Sequence, residues 1–508
     1  MALFGSSIAG FLLAVAILVT IHELGHYLAA RWCGVRVLRF SVGFGPVLLK
    51  WTGRRSIFAG TEFAVSAIPL GGYVRMLDTR DPEATAMVSN FVDAFDRQPI
   101  WKRSFIVAAG PLANFLLAFV LYTAALLAPD RDLQAVVAAP DAGTPAYTAG
   151  VRGGMRITRV NDREVAHWGD IRWQLLTHVF DDQLALVVDD NGIERTLSLQ
   201  RSHDQPLTPE SIGNRLAGWG LSFDQPAMIG RVVAGGPAER AGLLVGDVVV
   251  AADGAAIRQW NQLTRAVQAR PDTPVVLTID RRGYRQDFTV TPRGEAVVGK
   301  RIGRIDVAGA PPEMLGQESV VLRQRSLAAA VTDGLQRSID ATVLTVRVLW
   351  GMLVGDISLR QISGPLTMAE GAGVTLKQGA VSFALFLAIV SVSIGVLNLL
   401  PVPMLDGGQL LYHLFEAIKG APLSERAEAL GQRVGIGFVI ALTALALYAG
   451  ACAEPPQEVE EAVASTTAPL WVNGDFESTA IGAAPAGWTI TNHRNFAITD
   501  LRPGAQTF

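Results

Sequence analysis

Apolar positions in this chain gather into four long uncharged blocks separated by mixed, more polar segments. The blocks are Met1–Ile21, whose apolar pattern resumes as far as Ala30, then Ser104–Pro129, Gly379–Leu405 and Val434–Ala453. A helix needs about 20 such residues to cross the hydrocarbon core, so the pattern predicts four transmembrane helices. Between the second and third blocks the hydrophobic runs are short and broken by turn residues, which predicts strands outside the membrane. The fold class that follows is a multi-pass α-helical membrane protein carrying inserted α+β units.

The segments between spans have patterns of their own. Within residues 34–77, Val35–Phe40 and Glu62–Val65 are rich in β-formers and are flanked by Gly34, Gly43, Gly45, Pro46, Gly71 and Gly72. A β-hairpin is expected there, either lying against the membrane face or standing as an ordinary cytosolic hairpin. Farther on, Pro145–Gly154 and Pro237–Gly246 repeat one pattern ninety-two positions apart, and a hydrophobic strand and turn follow each copy. Two copies at that spacing resemble tandem PDZ domains over 131–222 and 223–308, modules that take up peptide C-termini at a sheet edge. The second copy, with Gly246-Asp247, fits that pattern better than the first, with Gly154-Met155; for the first, steric filtering is the alternative. From Ser326 to Leu353 apolar residues recur at near-helical spacing among Asp333, Arg337, Asp340 and Arg347. This predicts an amphipathic helix at the outer membrane face or a plain packing helix.

Composition narrows the class. Half of the 508 residues are hydrophobic and only 18% are charged, which favours a membrane protein with polar inserts over a soluble enzyme. The net charge of −3, without a basic block, excludes a nucleic-acid partner. Cys33 and Cys452 stand at opposite ends and provide no disulfide framework. Arg31, Arg36 and Arg39 follow the first span, and Arg97, Lys102 and Arg103 precede the second. Lys419, Arg426 and Arg433 join the third to the fourth. The positive-inside rule puts both connections in the cytoplasm, so both termini and the long insert face outward. The first span lacks a basic start and is expected to remain as an anchor rather than be cleaved as a signal peptide.

Against this background one string is out of place. His22-Glu23-Leu24-Gly25-His26 puts two imidazoles and a carboxylate inside the first apolar span, where ionisable groups are costly and point to function. On a helix His22 and His26 share one face and suit a single Zn²⁺, with Glu23 beside them as general base. Arg31 marks the cytoplasmic interface, and at the helical rise the two histidines lie about 8–14 Å deeper. A metal site there faces the cytoplasmic half of the membrane and needs a protein-lined path for water. A catalytic zinc takes three protein ligands and leaves one position open. The candidate for the third is Asp406, at the end of the third span after Pro401 and Pro403, with Gly407 and Gly408 allowing close approach.

The motif in the first span, Asn398-Leu399-Leu400-Pro401-Val402-Pro403 with Leu405-Asp406-Gly407, and the inserted PDZ pair together resemble the site-2 protease family of intramembrane zinc metalloproteases. Within it, the resemblance is to the bacterial branch that regulates sigma-E. Gly110-Pro111-Leu112-Ala113-Asn114-Phe115 and Ile362-Ser363-Gly364-Pro365 also resemble that group, and the likeness covers about residues 1–450. It implies a zinc metalloendopeptidase of the bacterial inner membrane that cuts single-pass substrates in regulated intramembrane proteolysis of an envelope stress response. The implied partners are an anti-sigma factor already trimmed on the outer side, signal-peptide remnants, peptide C-termini at the PDZ domains, and the lipid bilayer. By the same likeness residues 36–76 offer a strand edge to the substrate, and Asn398, with Pro401 and Pro403, binds it.

The organisation expected is therefore 1–130 for the first two spans and the hairpin, then 131–222 and 223–308 for the PDZ pair. A helical linker over 309–377, the last two spans over 378–453 and an atypical outward tail over 454–508 complete it. Two departures from the family pattern stand out. Gln409 replaces a frequent His, at a position expected to tune rather than abolish catalysis. The tail, with Trp471-Val472-Asn473-Gly474-Asp475-Phe476-Glu477, resembles the opening strand of a carbohydrate-binding-type β-sandwich, and a gene fusion or shifted gene boundary is the expectation. Two other classes compete with the protease: a membrane scaffold whose PDZ pair captures misfolded envelope proteins, and a tethered sugar-binding receptor. Neither accounts for imidazoles and acids inside spans.

Overall fold

This computed structural model describes residues 2–54, 58–81, 90–201, 218–223, 225–297, 300–311, 314–316, 319–355, 365–421, 433 and 437. The expected fourth span (Gly437 apart), the tail over 454–508 and the Ile362-Ser363-Gly364 string lie outside them.

Helix α1, Ala2–Trp32, carries His22-Glu23-Leu24-Gly25-His26 towards its C-terminal end. Strands β1 (Val37–Thr52) and β2 (Glu62–Met76) follow as an antiparallel pair. The hairpin differs from a simple two-stranded one, because each strand bends and pairs twice. Residues 37–42 pair with both 72–76 and 62–65, while 47–52 pair with 62–66. The bends fall at Gly43, Gly45 and Gly71, all at positive φ where an L side chain is strained. The product is a small sheet with segments 47–52 and 72–76 at its edges. Its inner side is held to α1 by Tyr27, whose ring packs on Phe40, Phe58 and Phe63. Leu48, Leu49 and Trp51 on the outer edge are exposed.

Helix α2, Ile100–Leu127, returns along α1. Small residues let the two backbones meet: a Cβ on Gly25 would lie 2.3 Å from the Ala109 carbonyl oxygen and 2.7 Å from the Ala113 Cβ.

Strand β3 (Asp130–Leu133) opens the insert. Its first unit continues with α3 (Pro145–Thr148), β4 (Arg156–Val160), β5 (Arg163–Glu164), α4 (Trp168–Thr177), β6 (Gln183–Asp190) and β7 (Ile193–Gln200). The second unit holds β8 (Ile229–Val232), α5 (Pro237–Arg240), β9 (Val248–Ala252), β10 (Ala255–Ala256), α6 (Trp260–Gln268), β11 (Val275–Arg281) and β12 (Tyr284–Val290). Their sheets have the same order, β5-β4-β6-β7 and β10-β9-β11-β12, so the sequence repeat folds alike both times. Each repeat begins with a proline in the first turn of a short helix, where its missing N–H has no partner to lose. The core of each unit is built on one helix face: Trp168, Ile171 and Leu175 in the first, Trp260, Leu263 and Val267 in the second. Strands β13 (Arg293–Val297) and β14 (Lys300–Arg304) pair together, and β15 (Val307–Gly309) pairs with β8. Strand β16 (Val320–Arg323) then pairs with β3, returning the chain to the first unit. Part of the segment expected as a helical linker, 309–377, is thus sheet.

Helix α7, Leu327–Val354, is the helix that its periodicity predicts, with one face packed and the other apolar but exposed. Ala330, Gly334, Ser338 and Ala341 are buried, and a Cβ on Gly334 would lie 2.3 Å from Thr123 Oγ1 of α2. The other face exposes Leu335, Ile339, Val343, Val346 and Trp350. Helix α8 (Pro365–Gln378) packs Ala372 and Gly373 on Gly10 and Ser7 of α1, so it belongs to the helical bundle rather than to a linker. Helix α9, Ala380–Asn398, lies against α2, and α10 covers Asp406–Lys419. The third span therefore ends at Asn398 instead of Leu405, because a helix cannot run through Pro401 and Pro403. Asp406 opens a new helix; it does not close the span.

Three described helical segments are long and apolar enough to cross a bilayer: Ser7–Trp32, Ile100–Leu127 and Ala380–Asn398.

Candidate metal centre

Two helices bring three donor side chains to one point. His22 and His26 project from one face of α1, with ring centroids 4.8 Å apart in an edge-to-face contact. Asp406 arrives from the first turn of α10. Its Oδ2 lies 3.2 Å from His22 Nε2 and 3.5 Å from His26 Nε2, and the two Nε2 atoms are 3.2 Å apart. A tetrahedral zinc with bonds of 2.0–2.1 Å holds its donor atoms about 3.3 Å from one another. The triangle of donors has the dimensions of one face of such a site.

The surroundings fit a cation as well. Asp406 Oδ2 is buried against the two imidazole Nε2 atoms, where a cation shared by the three donors offsets the cost of burying the carboxylate. His22 and Asp406 keep 12% and 15% of their side chains exposed, so the point is shielded yet reachable from one side. His26 donates from Nδ1 to the Ile106 carbonyl at 2.8 Å, which leaves its Nε2 lone pair free for a metal. The residues present suit zinc.

Glu23 follows His22 directly. Segment 72–76, an edge of the small sheet, runs beside it: a Cβ on Gly72 would lie 3.1 Å from Glu23 Cγ and 2.9 Å from Val19 Cγ1. Asn398, the last residue of α9, has its amide nitrogen 3.4 Å from His22 Nε2. Pro401 and Pro403 stand in the turn between α9 and α10, Pro401 exposed and Pro403 half-buried. Gln409 is exposed on α10.

The approach of Asp406 depends on that turn. A Cβ on Gly407 would lie 2.3 Å from the carbonyl oxygens of Leu399 and Leu400, and one on Gly408 would lie 2.3 Å from that of Val402. Only glycine lets α10 begin so close to the end of α9. The far side of α10 is held to α2 by the Arg103–Glu416 pair, with contacts of 2.6 and 3.1 Å, and by Ser104 Oγ beside His413 Nδ1 at 3.2 Å. The Arg103 guanidinium holds the Glu416 carboxyl below the ordinary carboxylate range. Burial, aided by the charge of Arg103, pushes the His413 imidazole down to about 4, so it packs as a neutral ring.

Other participants were unassigned from sequence. Gly110 allows α2 to approach the histidines, since a Cβ there would lie 2.3 Å from His26 Nε2. Asn114, fully buried one turn later, has its amide nitrogen 3.1 Å from His22 Nδ1. The signal available was a carboxamide inside an otherwise uncharged span, four residues after a glycine.

The family model for peptidase family M50 matches residues 10–442. A putative zinc metalloprotease of Vibrio cholerae is 35% identical over 444 residues, covering 86% of this chain and 96% of that protein. The regulator of sigma-E protease RseP of Escherichia coli is 34% identical over 450 residues, covering 87% and 97% respectively. A putative zinc metalloprotease of Ralstonia nicotianae is 38% identical over 464 residues, with the same coverage of both chains.

Proposed function

The chain belongs to peptidase family M50, the site-2 zinc metalloproteases, and from this membership we propose that it cuts the membrane-spanning segments of single-pass proteins within the bilayer. In this reading His22, His26 and Asp406 hold the zinc and Glu23 is the general base. The observation that carries it is the triangle of donor atoms with edges of 3.2, 3.2 and 3.5 Å, two of its corners on a helix apolar enough to cross the membrane.

Zinc held by these residues would supply a Lewis acid that polarises the scissile carbonyl and lowers the pKa of water towards about 7. Glu23 takes the proton of the attacking water and delivers it to the leaving amine. A helical substrate hides its carbonyls in its own hydrogen bonds and must unwind before it can be cut. Segment 72–76 beside Glu23 offers a strand edge that replaces the lost backbone bonds, and Asn398 offers a side-chain amide for the same purpose. Pro401 and Pro403 shape the wall on which that stretched segment lies.

The wider arrangement we propose has four spans, the fourth over Val434–Ala453, with the metal centre in the cytoplasmic half of a bacterial inner membrane. The two repeat units act as PDZ domains on the opposite side, filtering substrates or binding their exposed C-termini. Their shared sheet order and proline-started helices support that assignment. Relatives named for sigma-E regulation favour an anti-sigma factor as substrate.

The deciding experiment uses purified full-length protein and a single-span reporter. Glu23→Gln is expected to keep stoichiometric zinc and lose at least about a hundredfold in cleavage. Cleavage by that variant at the wild-type rate would overturn the assignment.

A further inference from the structure

We propose that Asn114 is the positioning residue for His22: its carboxamide oxygen accepts the Nδ1 proton of the ring and thereby commits Nε2 to the metal. This rests on the reading of His22, His26 and Asp406 as zinc ligands.

A neutral imidazole carries one proton, and whichever nitrogen holds it cannot bind a metal. His26 is settled by a partner that only accepts, the Ile106 carbonyl at 2.8 Å from Nδ1. His22 is different. Its Nδ1 faces the side chain of Asn114 at 3.1 Å, and an amide has a donating end and an accepting end. Asn114 is fully buried, so the amide itself must satisfy the ring.

Each end of the amide specifies a different tautomer. With Nδ2 turned to the ring, Nδ1 accepts and the proton sits on Nε2, where Asp406 Oδ2 lies 3.2 Å away. That arrangement closes the site without a metal. With Oδ1 turned to the ring, Nδ1 donates and Nε2 is bare. The rotation gives up no other side-chain hydrogen bond among the described residues, because Oδ1 is buried without a partner. The amide thus has two orientations of similar cost, and a cation at Nε2 selects the accepting one.

The scaffold holds the amide at this level. Ser391 of α9 donates to the main-chain carbonyl of Asn114 at 2.8 Å, tying α2 to α9 at the depth of His22. Gly110, one turn earlier on the same face of α2, keeps the helix close enough for the amide to reach.

The test measures zinc affinity of the full chain by chelator competition, together with the visible spectrum of the cobalt-substituted protein. Asn114→Leu removes the acceptor while keeping the same number and branching of side-chain heavy atoms. It is expected to weaken zinc binding by about 10–100-fold and to shift the cobalt bands. Asn114→Asp keeps an acceptor and discards the donor; it is expected to bind zinc within about threefold of wild type or more tightly. Zinc affinity of Asn114→Leu equal to wild type, or of Asn114→Asp reduced as far as a His22→Ala control, overturns the proposal. If Asn114→Leu does not fold, Asn114→Asp decides alone by the same criterion. Should wild type, His22→Ala and Asp406→Ala all bind zinc equally weakly, the ligand reading fails and takes this proposal with it. Strong binding that depends on His22 and Asp406 but not on Asn114 overturns this proposal only.

Discussion

Gly110 and His26 pack so closely that a Cβ on the glycine would sit 2.3 Å from His26 Nε2 and 2.5 Å from its Cε1. The His22 ring is nearly as near, with its Cε1 at 2.9 Å. One helix backbone therefore forms the floor beneath both imidazoles. Gly110→Ala must displace at least one of them or push α2 away from α1. Zinc content after dialysis should fall at least about tenfold, since a donor moved by an ångström no longer meets the metal. Full zinc occupancy in this variant would show that the floor yields without cost.

The contact between Gly72 and Glu23 makes a separate prediction. Gly72→Val would put a branched side chain into the space beside Val19 Cγ1 and Glu23 Cγ, closing the strand edge without touching a metal donor. Cleavage of a transmembrane reporter should drop by more than about tenfold while zinc content stays at wild-type level. Loss of zinc together with activity would mean that the sheet supports the metal centre and not the substrate.

Acid should loosen α10, and both groups at its docking surface contribute in the same direction. His413 titrates near 6.5 when free and near 4 in the fold. Above 6.5 it is neutral in both states and costs nothing; as the pH falls towards 4, only the unfolded chain takes the proton. Stability is lost across that window, by about 3 kcal/mol at its lower end. Glu416, held low by Arg103, contributes stability above the ordinary carboxylate value of 4.5 and loses it as the pH falls through its lower folded value. Thermal melts of the purified protein between pH 7 and 4 should show the decline, and His413→Leu should remove its upper part. A melting temperature that is flat to pH 4.5 in wild type contradicts this.

Metal removal should affect one element more than the rest. The proposed zinc ligands join α1 to α10, whereas α1, α2 and α9 are packed through small residues such as Gly25 and Gly395. Chelation is expected to abolish proteolysis and leave helical circular dichroism unchanged. Proteolytic sensitivity should rise selectively in the turn at 399–405. Global loss of helix on chelation would show that the metal holds the whole bundle.

Much of this protein is written in local periodicity. Uncharged blocks of bilayer length, two histidines one helical turn apart and a ninety-two-residue repeat are all set by neighbours in sequence; among the described residues three of the four blocks are helices of spanning length, and the repeat recurs as two sheets of the same order. The ends of elements were harder to read, because composition stays apolar through Leu399–Leu405 while Pro401 and Pro403 had already stopped the helix. The double pairing of β1 and β2 was equally hidden, since glycine permits a bend at positive φ but does not say where the strand returns.

What tertiary structure alone decided is which distant groups meet. Asp406 lies 384 positions from His22, and no periodicity relates them; they are joined because Gly407 and Gly408 admit a turn that only packing requires. Asn114 and Gly72 reach the motif in the same way, through close backbone approach that is favourable once three elements are already assembled. Residue types and spacing selected the chemistry. Burial and the absence of Cβ atoms at a few crossings determined where that chemistry is gathered.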